Sequence, residues 1–169
     1  MDLAKKIDAQ KYKIVFIVEI LAFISISFWA ALMEGPTGGV FGVRAFNFLG
    51  FEMNADFFIF CTTVPLFILI TFIMAGPDVK LFGTLATGYC IGIILEDFFW
   101  FVVNPYYGVQ KFNSVDAVWL VDWIKFGDFE VRFFYLKNIV GAILLWFIFV
   151  HNSEKVRKLV KKYTKIELK

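Results

Sequence analysis

The stretch FGTLATGYCIGIILEDFFWFVV, Phe82 to Val103, decides how this chain folds. It is long and apolar enough to cross the ~30 Å hydrocarbon core of a bilayer. Yet it carries Glu96 and Asp97 side by side. A four-residue rhythm shows how the carboxylates are tolerated. Thr84, Gly88, Gly92, Glu96, Trp100 and Asn104 recur every fourth residue, and on a helix such positions share one face. Gly88 and Gly92 form a small-xxx-small pair, which lets helix backbones approach closely in lipid. The face should therefore turn toward other helices and carry Glu96 with it. Asp97 lies about 100° further round, on a flanking face.

Around this segment the composition is that of a membrane protein. Of 169 residues, 60% are hydrophobic and 20% aromatic, and the mean hydropathy is +0.73. A soluble domain is about half apolar. The excess here comes in long blocks, which predict an all-α fold, a four-helix transmembrane bundle with spans at about 14–33, 57–76, 82–103 and 133–150. In lipid the backbone must satisfy its own hydrogen bonds, so each block is a helix. Gly35 and Pro36 end the first span, Gly76-Pro77-Asp78 turns the second into the third, and Pro105 with Gly108 stops the third. The first block exceeds a signal-peptide core, Asp2 and Asp8 dilute its basic start, and no small-x-small cleavage site follows, so it reads as a span.

Lysine and arginine set the orientation. Lys5, Lys6, Lys11 and Lys13 precede the first span, Lys80 sits in the short turn, and the tail after residue 150 is rich in lysine. The other two loops hold only Arg44, Lys111, Lys125 and Arg132. The positive-inside rule places both termini in the cytoplasm, in a plasma or inner membrane. Residues 1–13 are then a basic cytoplasmic N-terminus, 14–150 the membrane domain, and 151–169 a basic cytoplasmic C-terminal helix whose partner is anionic lipid head groups. In the outer loop, Ser114 is a candidate N-cap. Trp119, Trp123 and Phe126 repeat at helical spacing, which predicts an interfacial helix over Ser114 to Phe126. The glycine-rich piece before Phe51 reads equally as a hairpin or as a cap on the bundle.

Depth pairs the charges. Glu96 lies about 10 Å inside the outer end of its span. Lys137 and Asn138 lie about 6–8 Å inside the next one. Antiparallel neighbours would bring Lys137 level with Glu96 and Asp97. An ionised side chain at the centre of a bilayer costs roughly 2.5–3.5 kcal/mol on insertion scales, so a partner is expected. Two acids against one base leave a surplus carboxylate, which makes Glu96, Asp97, Lys137 and Asn138 the candidate site for a proton, cation or polar ligand. Glu34, Trp100 and Asn104 are possible contributors, and Asp56, Tyr106, Tyr107 and Arg132 lie near enough to join. Structural pairing, with Lys137 snorkelling to head groups, accounts for the same residues without a ligand. Glu19 is a second intramembrane acid of lesser weight, because Lys11 and Lys13 flank it.

Much is excluded. A single histidine, His151, cannot build a His-rich metal site or bis-His haem. No hydrolytic triad or phosphate-cradling loop is present, and no cofactor or metal is expected. A net charge of +2 gives no argument for nucleic acid. Cys61 and Cys90 read as buried free thiols. Three functions fit: a binding or transport protein, an enzyme on lipid or lipid-linked substrates, or an assembly subunit of a membrane complex. The first is preferred, as a homo-oligomer or beside a membrane partner protein.

Overall fold

The computed structural model of the chain describes residues 3–34, 46–48, 51–53, 59–76, 78–118, 120, 122–127 and 129–164. The molecule is mostly helical, with two short antiparallel hairpins. Helix α1 spans Leu3–Glu34. Strands β1, Phe46–Phe48, and β2, Phe51–Met53, pair with Phe46 opposite Met53, which is the hairpin alternative for this loop. A π-helical turn, Ile59–Thr63, leads into α2, Val64–Ala75. Helix α3 is Val79–Val103. Strands β3, Trp123–Phe126, and β4, Phe129–Arg132, precede α4, Phe133–Leu145. A second π-helical turn, Trp146–His151, continues α4, and α5 is Ser153–Thr164.

Among the described residues, three helical stretches are long and apolar enough to cross a membrane: Gln10–Leu32, Val79–Val103 and Phe133–His151. The segment expected at 57–76 is different. Its α-helical part has 12 residues, about 18 Å of rise. Pro65 sits in its first turn, where its missing N–H costs nothing, and the π turn lies immediately ahead of it.

α3 is the central helix, packed along α1 on one side and α4 on another. Its glycines set the approach. A Cβ at Gly88 would lie 2.1 Å from Glu19 Oε2, and one at Gly92 would lie 2.2 Å from Phe23 Cδ2. Both pairs advance together, so α1 and α3 run parallel in four-residue register. Ala31 and Trp100 share a buried cluster further along the same seam. On the other side a Cβ at Gly83 would lie 2.5 Å from Phe149 Cβ. There the register runs backwards, with Tyr135 against Asp97, so α4 is antiparallel. Glycines at such seams let the helix backbones pack closely. Phe23 fills its seam, stacked on Phe60 at 6.5 Å and edge-on to Tyr89 at 5.8 Å. The Tyr89 hydroxyl donates to the Phe60 carbonyl in the first π turn.

The interfacial helix expected over Ser114 to Phe126 is not formed. Residues 114–116 make a turn, and Trp123–Phe126 is a strand paired to β4 with Phe126 opposite Phe129. Two residues connect them, and Gly127 at φ 61° supplies the positive φ that tight hairpins demand. Ser114 is not an N-cap: its N–H and hydroxyl both donate to Glu130, at 2.6 and 3.0 Å. The basic C-terminal helix is present as α5, though separated from α4 at Asn152, whose N–H and side chain both donate to the Phe147 carbonyl. Arg157 of α5 meets Asp78 at 2.5 Å. Asp78 also caps α3 by accepting from Lys80 N and Leu81 N, and it takes the Tyr12 hydroxyl of α1. One carboxylate thus ties three helices at the N-terminal end of α3.

Candidate functional site

Asp97 and Glu19 mark two carboxyl positions along α3. The first is at its C-terminal end. Asp97 accepts from the Arg132 guanidinium at the β4–α4 junction and from the Tyr135 hydroxyl, the latter at 2.8 Å. Both side chains of the ion pair are mostly buried. The guanidinium also lies over the Phe134 and Tyr135 rings, 5.1 and 5.6 Å from their centres, a favourable placement for a delocalised cation.

An aromatic layer covers this clasp. Phe112 stacks on Tyr135 at 5.9 Å and meets Phe101 at 5.0 Å and Trp123 at 5.1 Å. Trp100 packs edge-on to Phe101 at 4.8 Å. Asn104, 1% exposed, ends α3 and accepts from Tyr106 N. Glu130 pins the covering loop to the strand that delivers Arg132 through Ser114, and it pairs across the hairpin with Lys125 at 2.8 Å. Hydrogen bonding from the Lys125 ammonium, then from the Ser114 N–H and hydroxyl, holds its carboxyl down at about 2.

The second position is Glu19 on α1, against Gly88. Both carboxyl oxygens are sealed from solvent and have no hydrogen-bond partner among the described residues. The absence of any Cβ at Gly88 makes the room they occupy.

The sequence-derived candidates divide between these places. Glu96 is buried at 8% exposure on α3, level with Ser27 if the α1–α3 register continues. Asp97 is in the clasp, and its cation is Arg132 rather than Lys137. The reason is angular. Tyr135 and Ala142 are the buried residues of α4, and Lys137 is two positions past Tyr135, about 200° round the helix. Lys137 is half exposed, 3.8 Å from Asp122 and 5.0 Å from the Phe133 ring centre. Asn138 donates to its own helix at the Phe134 carbonyl, 2.9 Å away. Trp100 and Asn104 belong to the aromatic cover and the α3 cap. Asp56 and the side chains of Glu34, Cys61 and Trp119 lie outside the described residues; Cys90 is a free thiol.

Tyr135 was not anticipated; it lies in the first turn of α4, three residues after Arg132 at the extended N-cap position. Glu19 lies against Gly88, and neither Lys11 nor Lys13 pairs with it among the described residues. Continuing the Gly88–Gly92 face onto its neighbour would have exposed it. Among the described residues no three His, Cys, Asp or Glu side chains gather as a metal site. No known family model, curated protein or solved structure matches this chain.

Proposed function

We propose that this chain is a small multi-pass membrane protein of binding or transport type, in which carboxyl groups on the α1–α3 seam hold a proton or cation. The single observation that carries this is Glu19, with both oxygens buried at Gly88 and no donor among the described residues. A buried carboxyl without a donor is costly. Intramembrane acids are rare for that reason and mark ion and proton paths. A bound proton or cation supplies the missing partner. Glu96 lies two turns further along the same face of α3, about 12 Å away, and gives a second station. Asp97 is held by Arg132 and Tyr135, and its role is to fix α3 to α4.

The parallel run of α1 and α3 supports four spans. The chain must return across the full thickness between them, and the apolar segment 59–75 is the part available to do so. An even number of crossings agrees with basic residues at both ends and in the α2–α3 turn, which favours cytoplasmic termini. Four helices are too few to enclose a path, so transport calls for a second copy or a partner chain.

Purified protein in liposomes carrying an entrapped pH dye tests the reading, with proton and sodium gradients applied in turn. Wild type should pass or bind one of the two. Glu19→Gln and Glu96→Gln should each abolish it while leaving the elution profile unchanged. Wild-type behaviour in both variants would remove the proposal.

A further inference from the structure

A cavity of about 620 Å³ opens between α1, α3 and α4 near the N-terminal end of α3, at the opposite end from the Asp97 clasp. Its volume is in the range of ligand sites. Its walls are graded. Lys13, Lys80 and Tyr12 stand at one end, while Phe16, Ile91 and Ile143 line the rest. From Lys80 to Ile91 the groove follows α3 for about 16 Å. Neither lysine makes an ion pair among the described residues. Lys80 lies over the Tyr12 ring at 4.7 Å, which holds its ammonium at the mouth. The nearest carboxylate on α3, Asp78, is already engaged by Arg157 and Tyr12, so the mouth keeps its positive charge.

Part-way along the wall is Thr87. It is 6% exposed, and its hydroxyl has no hydrogen-bond partner among the described residues. That hydroxyl is sealed off from the open space, so the face Thr87 turns to the groove is apolar. A second groove supplies the contrast. It holds about 340 Å³ between α2, α3 and α4, lined by residues such as Pro65, Phe72 and Leu85, and has no basic residue in its lining.

We infer that the α1–α3–α4 groove is a binding site for one anionic phospholipid of the surrounding bilayer. The phosphate sits between Lys13 and Lys80, and one acyl chain runs along Phe16, Ile91 and Ile143. The charge at the mouth selects the head group, and the length of the apolar wall selects a chain rather than a free phosphate. The inference rests on the membrane placement proposed above, but on different residues from the carboxyl line.

Native mass spectrometry of the full chain released from mixed phosphatidylglycerol and phosphatidylcholine vesicles tests it. Wild type should retain one phosphatidylglycerol in preference to phosphatidylcholine. Lys13→Gln with Lys80→Gln should lower that preference about thirtyfold, at roughly one kcal/mol for each basic residue. Ile143→Trp, a change at a largely exposed wall position, should block the chain and reduce retention of both lipids. Lys158→Gln with Lys161→Gln and Lys162→Gln on α5 should leave the preference intact. Equal retention of the two lipids, a preference that survives the double lysine change, or retention indifferent to Ile143→Trp would each overturn the site. A preference carried by the α5 lysines would also overturn it. Protein that stays monodisperse without detergent or lipid would instead defeat the membrane placement, which separates the two failures.

Discussion

The Glu19 carboxyl of α1 occupies the space a side chain at Gly88 of α3 would fill, since a Cβ there would stand 2.1 Å from Oε2. Four residues on, the Phe23 ring does the same at Gly92, 2.2 Å from its hypothetical Cβ. The two neighbours differ in freedom. A carboxyl at the end of a flexible chain can swing aside, whereas Phe23 is fixed between Phe60 and Tyr89. Gly92→Ala should therefore lower stability by about 1–3 kcal/mol, the usual range for overpacking, and Gly88→Ala by less. Combining Gly88→Ala with Glu19→Ala should recover most of the smaller loss. Thermal unfolding in a fixed detergent measures all three variants; equal losses at the two glycines would contradict the packing account.

At the Asp97 clasp, Arg132→Ala should be costly, about 3–5 kcal/mol, because it leaves a buried carboxylate uncompensated. Asp97→Ala should be similarly harmful, and the double variant should be more stable than either single one. Tyr135→Phe removes one bond to a charged group and should cost about 1.5–3 kcal/mol. A double-mutant cycle on unfolding free energies supplies the coupling energy, and additivity would mean that the pair does not act as a unit.

Glu130 gives the covering loop an acid limit. Its folded value, about 2, lies below its ordinary 4.5. A depressed carboxylate stabilises the fold fully above its unfolded value and loses that contribution as pH falls through the folded one. Protection of the amides from Gly108 to Ala117 should thus weaken between about pH 4.5 and 2. Hydrogen exchange corrected for intrinsic rates follows it. Glu130→Gln should begin looser and show no such acid transition.

Asp78 separates capping from charge. Burial pushes its carboxyl up, but the Tyr12 hydroxyl and the Arg157 guanidinium outweigh that and leave it below the usual carboxylate range. Its stabilising share is therefore present at neutral pH and lost below the usual 3.8. Asparagine caps helices as well as aspartate does. Asp78→Asn should spare the start of α3 and release α5, read as faster tryptic cleavage at Lys158, Lys161 and Lys162 with helicity nearly unchanged. Unaltered cleavage would show that Arg157 does not hold α5.

Much of this was legible in the residues. Length and apolarity disclosed the three long helices, and the run Gly88, Gly92, Glu96 disclosed the face that α3 turns to α1. Pairing across helices was less accessible. Depth along a helix can be counted from its end, but angle requires knowing which side is buried, and that is why Lys137 was matched to acids it faces away from. The β3–β4 hairpin was hidden by chance. Trp119, Trp123 and Phe126 satisfy helical spacing, while the Gly127-Asp128 step between two aromatic-rich runs is itself a hairpin signal. The α-helical part of the second segment is short because a π turn takes up Ile59–Thr63, and apolarity alone does not register such a turn.

The central position of α3 bears on how the chain is made. Of the three long helices it is the one burdened with two adjacent acids, two buried threonines and three close-contact glycines, so it is the poorest at partitioning into lipid by itself. Synthesis delivers α1 first, and a receptive groove awaits α3 as it emerges. Arg132, however, is translated 35 residues after Asp97. During that interval, in the membrane placement proposed above, the carboxylate lacks its counter-charge until α4 arrives.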